Sequence, residues 1–272
     1  YEPGLEELVR TNIESNRLKF STSIPDNIEE DSIIFIAVGT PPDESGKADL
    51  KYVDQVAKEI GENLQEYKVI VNKSTVPVGT GERVTKIIKE NLKNQVDFAV
   101  VSNPEFLREG KAIKDFLNPD RVVIGADDEK AQKIMEKLYN PLKRTDRPIV
   151  TTDIKSAELI KYASNAFLAT KISFINQLSH LSEKVGANIK SVSSGMGLDE
   201  RIGPRFLQAG LGWGGSCLLG KELIIIKDKE SVRVIKIEEL PKLNCKNTEI
   251  ASYDINKEQI CFKKIIGVSK RK

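Results

Sequence analysis

An alternation repeated over the first 150 residues constrains this chain more than any other feature. Short apolar runs recur at 33–38, 69–71, 98–101, 122–124 and 149–150. Charged, amphipathic stretches near 49–64, 79–93 and 128–140 lie between them. Continuous apolar runs of this length read as strands buried on both faces. Their alternation with helices predicts an α/β fold of βαβ units around a parallel sheet.

A single long helix is predicted over about 153–186, with Gly186 and Asn188 as its stop signals. Ile160, Ala163, Phe167, Phe174, Leu178, Leu181 and Val185 form one apolar stripe along it. A helix this long is expected to bridge two domains or two subunits. Residues 187–216 are rich in glycine and serine. Beyond them the pattern changes to strands alone, at 223–226, 232–237, 249–253 and 259–268. The expected organisation is therefore 1–150, 151–216 and 217–272, with a boundary at Ser216/Cys217.

Composition narrows the function. Lysine plus arginine number 42 against 40 acids, a net charge of +2, which argues against a nucleic-acid binder built on a basic face. No apolar run approaches the roughly 18 residues of a membrane span. The opening Tyr1-Glu2-Pro3-Gly4 is no export signal, and it lacks an initiator methionine, so the chain is expected to start inside a longer protein. Three cysteines without a Cys-x-x-Cys pair predict no disulfide framework and a cytoplasmic, reducing location. One histidine, His180, makes a histidine-rich metal site or a Ser-His-Asp triad hard to assemble, and no metal is expected.

Polar segments follow the first three runs: Gly39-Thr40-Pro41-Pro42, then Ser74-Thr75-Val76-Pro77-Val78-Gly79-Thr80, then Asn103-Pro104-Glu105-Phe106-Leu107-Arg108-Glu109-Gly110. In an open parallel sheet, ligands bind beyond the carboxyl ends of the strands. Taken singly, each segment is equally an ordinary capped connection. Lys161 and Asn165 share a helix face. Spacing alone favours a solvated surface pair, and the alternative is an amine and an amide that hold a water or an oxyanion. Four glycines at 210–215 precede Cys217, allowing a ligand close to the backbone. That thiol is either a nucleophile or a small buried side chain closing a linker.

These segments together identify a resemblance. Tyr1-Glu2-Pro3-Gly4-Leu5, Val38-Gly39-Thr40-Pro41, the 74–80 and 103–110 segments and Asn118-Pro119-Asp120-Arg121 resemble the UDP-glucose/GDP-mannose dehydrogenase family. Lys161 with Asn165, and Arg201-Ile202-Gly203-Pro204 leading to Gly212-Trp213-Gly214-Gly215-Ser216-Cys217, continue the match in order. The resemblance implies NAD as cofactor, a homodimer, and UDP-glucose oxidised at C6 to the carboxylate in two hydride transfers. GDP-mannose and UDP-N-acetylmannosamine are the alternative substrates. It implies that the Cys217 position carries the nucleophile, through a thiohemiacetal and a thioester. Lys161 and Asn165 would stabilise oxyanions, Thr75 position a water, and Glu105 assist proton transfer. Phe106, Leu107, Glu109, Gly212 and, across a dimer, Arg201 would contact substrate. Thr40, Thr75 and Glu109 would lie near NAD.

The match has two departures. The family's opening strand and glycine-rich phosphate turn do not precede residue 1, so a first βαβ segment is expected to be missing. After the cysteine, Leu218-Leu219-Gly220-Lys221-Glu222 replaces the family's Lys-Asp segment. From Cys217 onward the chain resembles the N-terminal part of a self-splicing intein, a small all-β Hint-like unit. Cys217 would then be the first intein residue, attacking the Ser216 carbonyl. The chain alone is expected not to splice; the alternatives are a divergent or frameshifted dehydrogenase tail after Cys217, and an inactive fragment or split-intein partner.

Overall fold

The computed structural model describes residues 2–28, 33–43, 46–143 and 147–210, and beyond them the backbone of four strands. The elements run in the order α1 (Leu5–Glu14), β1 (Ile33–Ile36), α2 (Lys51–Asn63), β2 (Lys68–Asn72), α3 (Thr80–Asn91), β3 (Phe98–Ser102) and α4 (Ala112–Leu117). Then follow β4 (Val122–Ala126), α5 (Glu129–Tyr139), a 3₁₀ turn (Asn140–Leu142), β5 (Ile149–Thr152), α6 (Ile154–Val185) and α7 (Ile189–Gly197). The last four are β6 (Leu223–Lys227), β7 (Val232–Lys236), β8 (Glu249–Asp254) and β9 (Gln259–Lys264).

The chain divides into two compact units, Tyr1–Ala166 and Phe167–Lys272. The division falls inside α6, whereas composition placed domain boundaries at 150 and 216.

In the first unit the five expected strands form one sheet in the order β1-β2-β3-β4-β5. Alternate residues of β2 serve two cores, as a strand buried on both faces requires. Ile70 packs with Val53, Ala57 and Ile60 of α2 and Val84 and Ile88 of α3. Val69 and Val71 face Ala131, Met135 and Tyr139 of α5 on the other side. The α5 helix starts where Asp128 accepts the Ala131 backbone N–H at 2.6 Å.

The sheet is not wholly parallel, which corrects the sequence reading. β1, β2 and β3 are parallel and so are β4 and β5, but β3 and β4 are antiparallel. A parallel pairing needs a crossover packed on the sheet. The 103–121 connection carries only the six-residue α4, which buries none of its residues, so the chain turns back beside β3. The reversal brings the residues that precede β4 to the same edge as those that follow β3.

Glycines set the approach of α6. A Cβ on Gly125 would lie 2.4 Å from Ala157 Cβ and 2.8 Å from the Asp153 carbonyl. A Cβ on Gly81 would lie 2.5 Å from Ile154 Cγ2. Their bare backbones let the first turn of α6 seat directly on β4 and α3.

In the second unit, the stripe read from sequence along α6 is largely exposed, with Phe167 at 65 % and Val185 at 66 %. The buried positions there are Ile175 and Ser182. Gly186, at φ +73, ends the helix as expected. Asn188 does not: its side chain accepts the Lys190 and Ser191 N–H groups and starts α7, a helix that the glycine- and serine-rich composition concealed. The four late strands fall where the apolar pattern placed them. They form an antiparallel sheet in the order β7-β6-β8-β9. No helix among the described residues is long and apolar enough to cross a membrane.

Candidate active site

Three segments after β1, β2 and β3 meet at the carboxyl edge of the first sheet. The Thr40 hydroxyl donates to the Thr75 carbonyl at 2.8 Å, and Ser74 Oγ donates to the Val38 carbonyl at 2.6 Å. These bonds lock the β1 and β2 connections together. From α6, the buried Glu158 carboxylate accepts the Gly79 N–H at 2.6 Å and the Gly81 N–H at 2.8 Å. It thereby closes the amino end of α3, where backbone donors are unpaired. Burial raises the Glu158 pKa, and these two hydrogen bonds only partly offset the effect.

One turn further along α6, Lys161 corrects the surface reading. It is 6 % exposed, and its ammonium donates to Glu105 Oε1 at 2.9 Å. The other carboxylate oxygen of Glu105 accepts the Leu107 N–H at 2.6 Å, so the group is held on both sides. Phe106 sits between two cations. Its ring centre lies 3.7 Å from the Arg121 guanidinium and 5.2 Å from the Lys161 nitrogen. Asn165, half-buried, follows Lys161 on the same helix face. Leu107 and Glu109 are exposed, and the loop that carries them is tied to α4 by Arg108 on Asp115.

Behind this pair lies a group that the sequence analysis did not single out. Lys73, at the end of β2, donates to Asn103 Oδ1 at 3.0 Å and reaches the Tyr139 hydroxyl at 3.5 Å. Tyr139 donates to the same Asn103 oxygen at 2.5 Å, while Asn103 Nδ2 donates to the Val123 carbonyl at 2.7 Å. Burial lowers the Lys73 pKa to about 8; Lys161 pushes the same way and Glu105 opposes. Burial pushes Tyr139 up to about 12 and lowers Arg121. Arg121, quoted from the sequence only within the Asn118–Arg121 segment and given no role, is delivered by the antiparallel β3–β4 junction. Only the unmatched polarity of Lys73 beside a run of buried apolar residues hinted at its role.

Thr40, Thr75, Glu105, Phe106 and Lys161 are thus brought to one edge of the first unit, with Asn165 a turn beyond Lys161. Arg201 belongs to the second unit, where it is 89 % exposed and paired with Asp199 at 2.6 Å. Gly212 and Cys217 lie outside the described residues. Among the described residues, no group of histidine, cysteine, aspartate and glutamate could hold a metal.

Gly39 leaves open space where a side chain would stand, and Thr40 and Thr75 offer short polar side chains beside it. The G-x-G-x-x-G spacing occurs once in the sequence, at 210–215, and not in a segment that follows a strand of the first sheet.

A sheet with helices on both faces and a polar site at its carboxyl edge belongs to the class of Rossmann-like α/β proteins. Comparison with known proteins places it more narrowly. Residues 1–143 match the NAD binding domain of the UDP-glucose/GDP-mannose dehydrogenase family, and 155–242 match the family's central domain. The chain belongs to this family. It is 55 % identical over 217 residues to the UDP-glucose 6-dehydrogenase TuaD of Bacillus subtilis, covering 80 % of this chain and 46 % of that protein. It is similar to the solved UDP-glucose dehydrogenase of Pyrobaculum islandicum, with TM-score 0.76 and 45 % identity over 80 % of this chain and 50 % of that one. An uncharacterized protein of Methanocaldococcus jannaschii is 48 % identical over 277 aligned positions, covering 100 % of this chain and 30 % of its own length. The chain spans about half the length of the curated dehydrogenases it matches.

Proposed function

We propose that the whole protein oxidises UDP-glucose at C6 to UDP-glucuronate, using NAD. The observation that carries this reading is the buried Lys161–Glu105 pair, set on the shared edge with Thr40 and Thr75. Bound NAD would supply the hydride acceptor for both oxidation steps. Thr40, Thr75 and Glu109 would line its reactive end. The Lys161 ammonium, held in a site of low polarisability, stabilises negative charge on the C6 oxygen. Glu105, anchored by Leu107, is placed to exchange a proton with that oxygen through Lys161 or a water. Thr75 would position the hydrolytic water, Asn165 would stabilise the oxyanions, and Phe106, Leu107 and Arg201 would contact the sugar nucleotide. The Cys217 position would trap the aldehyde and carry the thioester. Arg201, 89 % exposed and held by Asp199, has the exposure that a residue reaching a second subunit needs.

We further propose that 217–272 is the start of an intein interrupting the dehydrogenase at its nucleophile. Three facts support this: the antiparallel sheet of β6–β9, the replacement of the family's residues after Cys217, and the contrast between relatives. The identity with TuaD spans 217 residues, whereas that with the Methanocaldococcus protein spans the whole chain. The family's central-domain match runs on to 242, which weighs against a sharp boundary. In the mature enzyme a cysteine following the intein would serve as nucleophile.

Lys161→Ala in the full-length protein tests the dehydrogenase reading. It should lower kcat by about 10²- to 10³-fold. An unchanged kcat would return Lys161 to a structural role.

A further inference from the structure

We propose that Arg121 is a positioning residue of this site: stacked on Phe106 and bonded to α6, its guanidinium holds that ring beside the Lys161 ammonium. The inference rests on the Lys161–Glu105 pair being the reacting centre.

The β3–β4 reversal sets the contact up. Val101 pairs with Ala126 and Ser102 with Gly125. Continued past the end of β3, that register puts Phe106 opposite Arg121. The segment that carries Arg121 is fixed from the β5 side. The Val122 N–H donates to the Pro148 carbonyl at 3.2 Å, and Arg147 donates to the Asn118 carbonyl at 2.7 Å. From this base the guanidinium reaches two groups. Its carbon lies 3.7 Å from the Phe106 ring centre, and Nη2 donates to Ser164 Oγ at 3.4 Å. Ser164 follows Lys161 by three residues, so one turn of α6 carries both. The ring in turn lies 5.2 Å from the Lys161 nitrogen, which donates to Glu105 at 2.9 Å. Arg121, Phe106, Lys161 and Glu105 therefore form one unbroken series of contacts.

Arg121 is half-buried, and among the described residues it has one hydrogen bond and no ion pair. So little polar contact repays its desolvation poorly, and an apolar side chain would fill the space at lower cost. Stacking a cation on an aromatic face is what such a side chain could not do.

The consequence is for the reacting pair. A lysine side chain is flexible and needs a wall to hold its ammonium in one place. With the ring pinned, Lys161 keeps its place on Glu105 and is screened less by water. With the ring free to swing, both advantages shrink.

The test is kcat with UDP-glucose in the full-length enzyme, measured for Arg121→Met in three backgrounds: wild type, Phe106→Leu and Phe106→Tyr. In the wild-type background the loss should be roughly tenfold, the size of a partly desolvated cation–π contact. In Phe106→Leu the same substitution should cost nothing further, because Arg121 has no ring left to hold. In Phe106→Tyr, which keeps an aromatic face, the loss should return. Losses that multiply in the Phe106→Leu background, as a direct substrate contact or a purely structural role would give, overturn the proposal. So does wild-type kcat in Arg121→Met. Should Arg121→Met fail to fold, Ser164→Ala removes only the hydrogen bond to α6. It should lower kcat by about two- to threefold in wild type and not at all in Phe106→Leu. An equal loss in both, or none in either, overturns the proposal. Lys161→Ala, assayed in parallel, separates the two claims. Full activity there removes the underlying reading, whereas its loss beside multiplying Arg121→Met losses removes only this one.

Discussion

Lys73 shows how one half-buried residue couples stability to pH. Its pKa is about 8 in the folded protein against an ordinary 10.5. Between those values the unfolded chain binds more protons than the folded one, so stability rises with pH across that window. The slope is at most about 1.4 kcal/mol per pH unit. Below pH 8 both states are protonated and the whole cost is present. Urea unfolding of wild type and Lys73→Met at pH 7 and pH 10 should show wild type gaining on the variant at the higher pH. A pH-independent difference would contradict the assignment. Sequence reading reached Lys161 and Glu105 through their family motif, and spacing alone had favoured a surface lysine. It gave no role to Lys73, or to Arg121 beyond its place in the Asn118–Arg121 segment, because their partners lie far along the chain. Lys73 matters through Asn103 and Tyr139, which lie 30 and 66 residues along the chain from it. Arg121 matters through a strand reversal that no residue pattern announces.

At the scale of elements, periodicity located all five strands of the first sheet, the helices on its two faces and the long α6. What it could not supply was direction. The apolar pattern of β4 is the same whether the strand runs with β3 or against it, and the reversal depends on how little α4 packs. The α7 helix was missed because glycine and serine lower its local propensity, while Asn188 capping and the burial of Gly197 restore it. The most exacting contact between elements is Gly125 under α6. Gly125→Ala would place a Cβ 2.8 Å from the Asp153 carbonyl, a backbone atom that cannot swing aside. The variant should lose about 1–3 kcal/mol in chemical denaturation. It should also lose activity more steeply than stability, because α6 carries both Lys161 and Glu158. Wild-type stability and activity would mean that α6 is not seated by this contact.

For the whole molecule, the chain reads as a dehydrogenase portion followed by a short β-rich segment. If 217–272 opens an intein, intact-mass analysis of the expressed full-length gene product should show a spliced protein, and Cys217→Ala should leave the precursor unprocessed. A precursor that is never processed in either form would sink the intein reading without touching the dehydrogenase one. The central claim is oxidation of UDP-glucose, and it has a direct measurement. Purified mature full-length protein, supplied with NAD and limiting UDP-glucose, GDP-mannose or UDP-N-acetylmannosamine in separate reactions, should form about two NADH per UDP-glucose consumed, because the same site removes two hydrides. No NADH with UDP-glucose, or preferential turnover of either other sugar nucleotide, would contradict it.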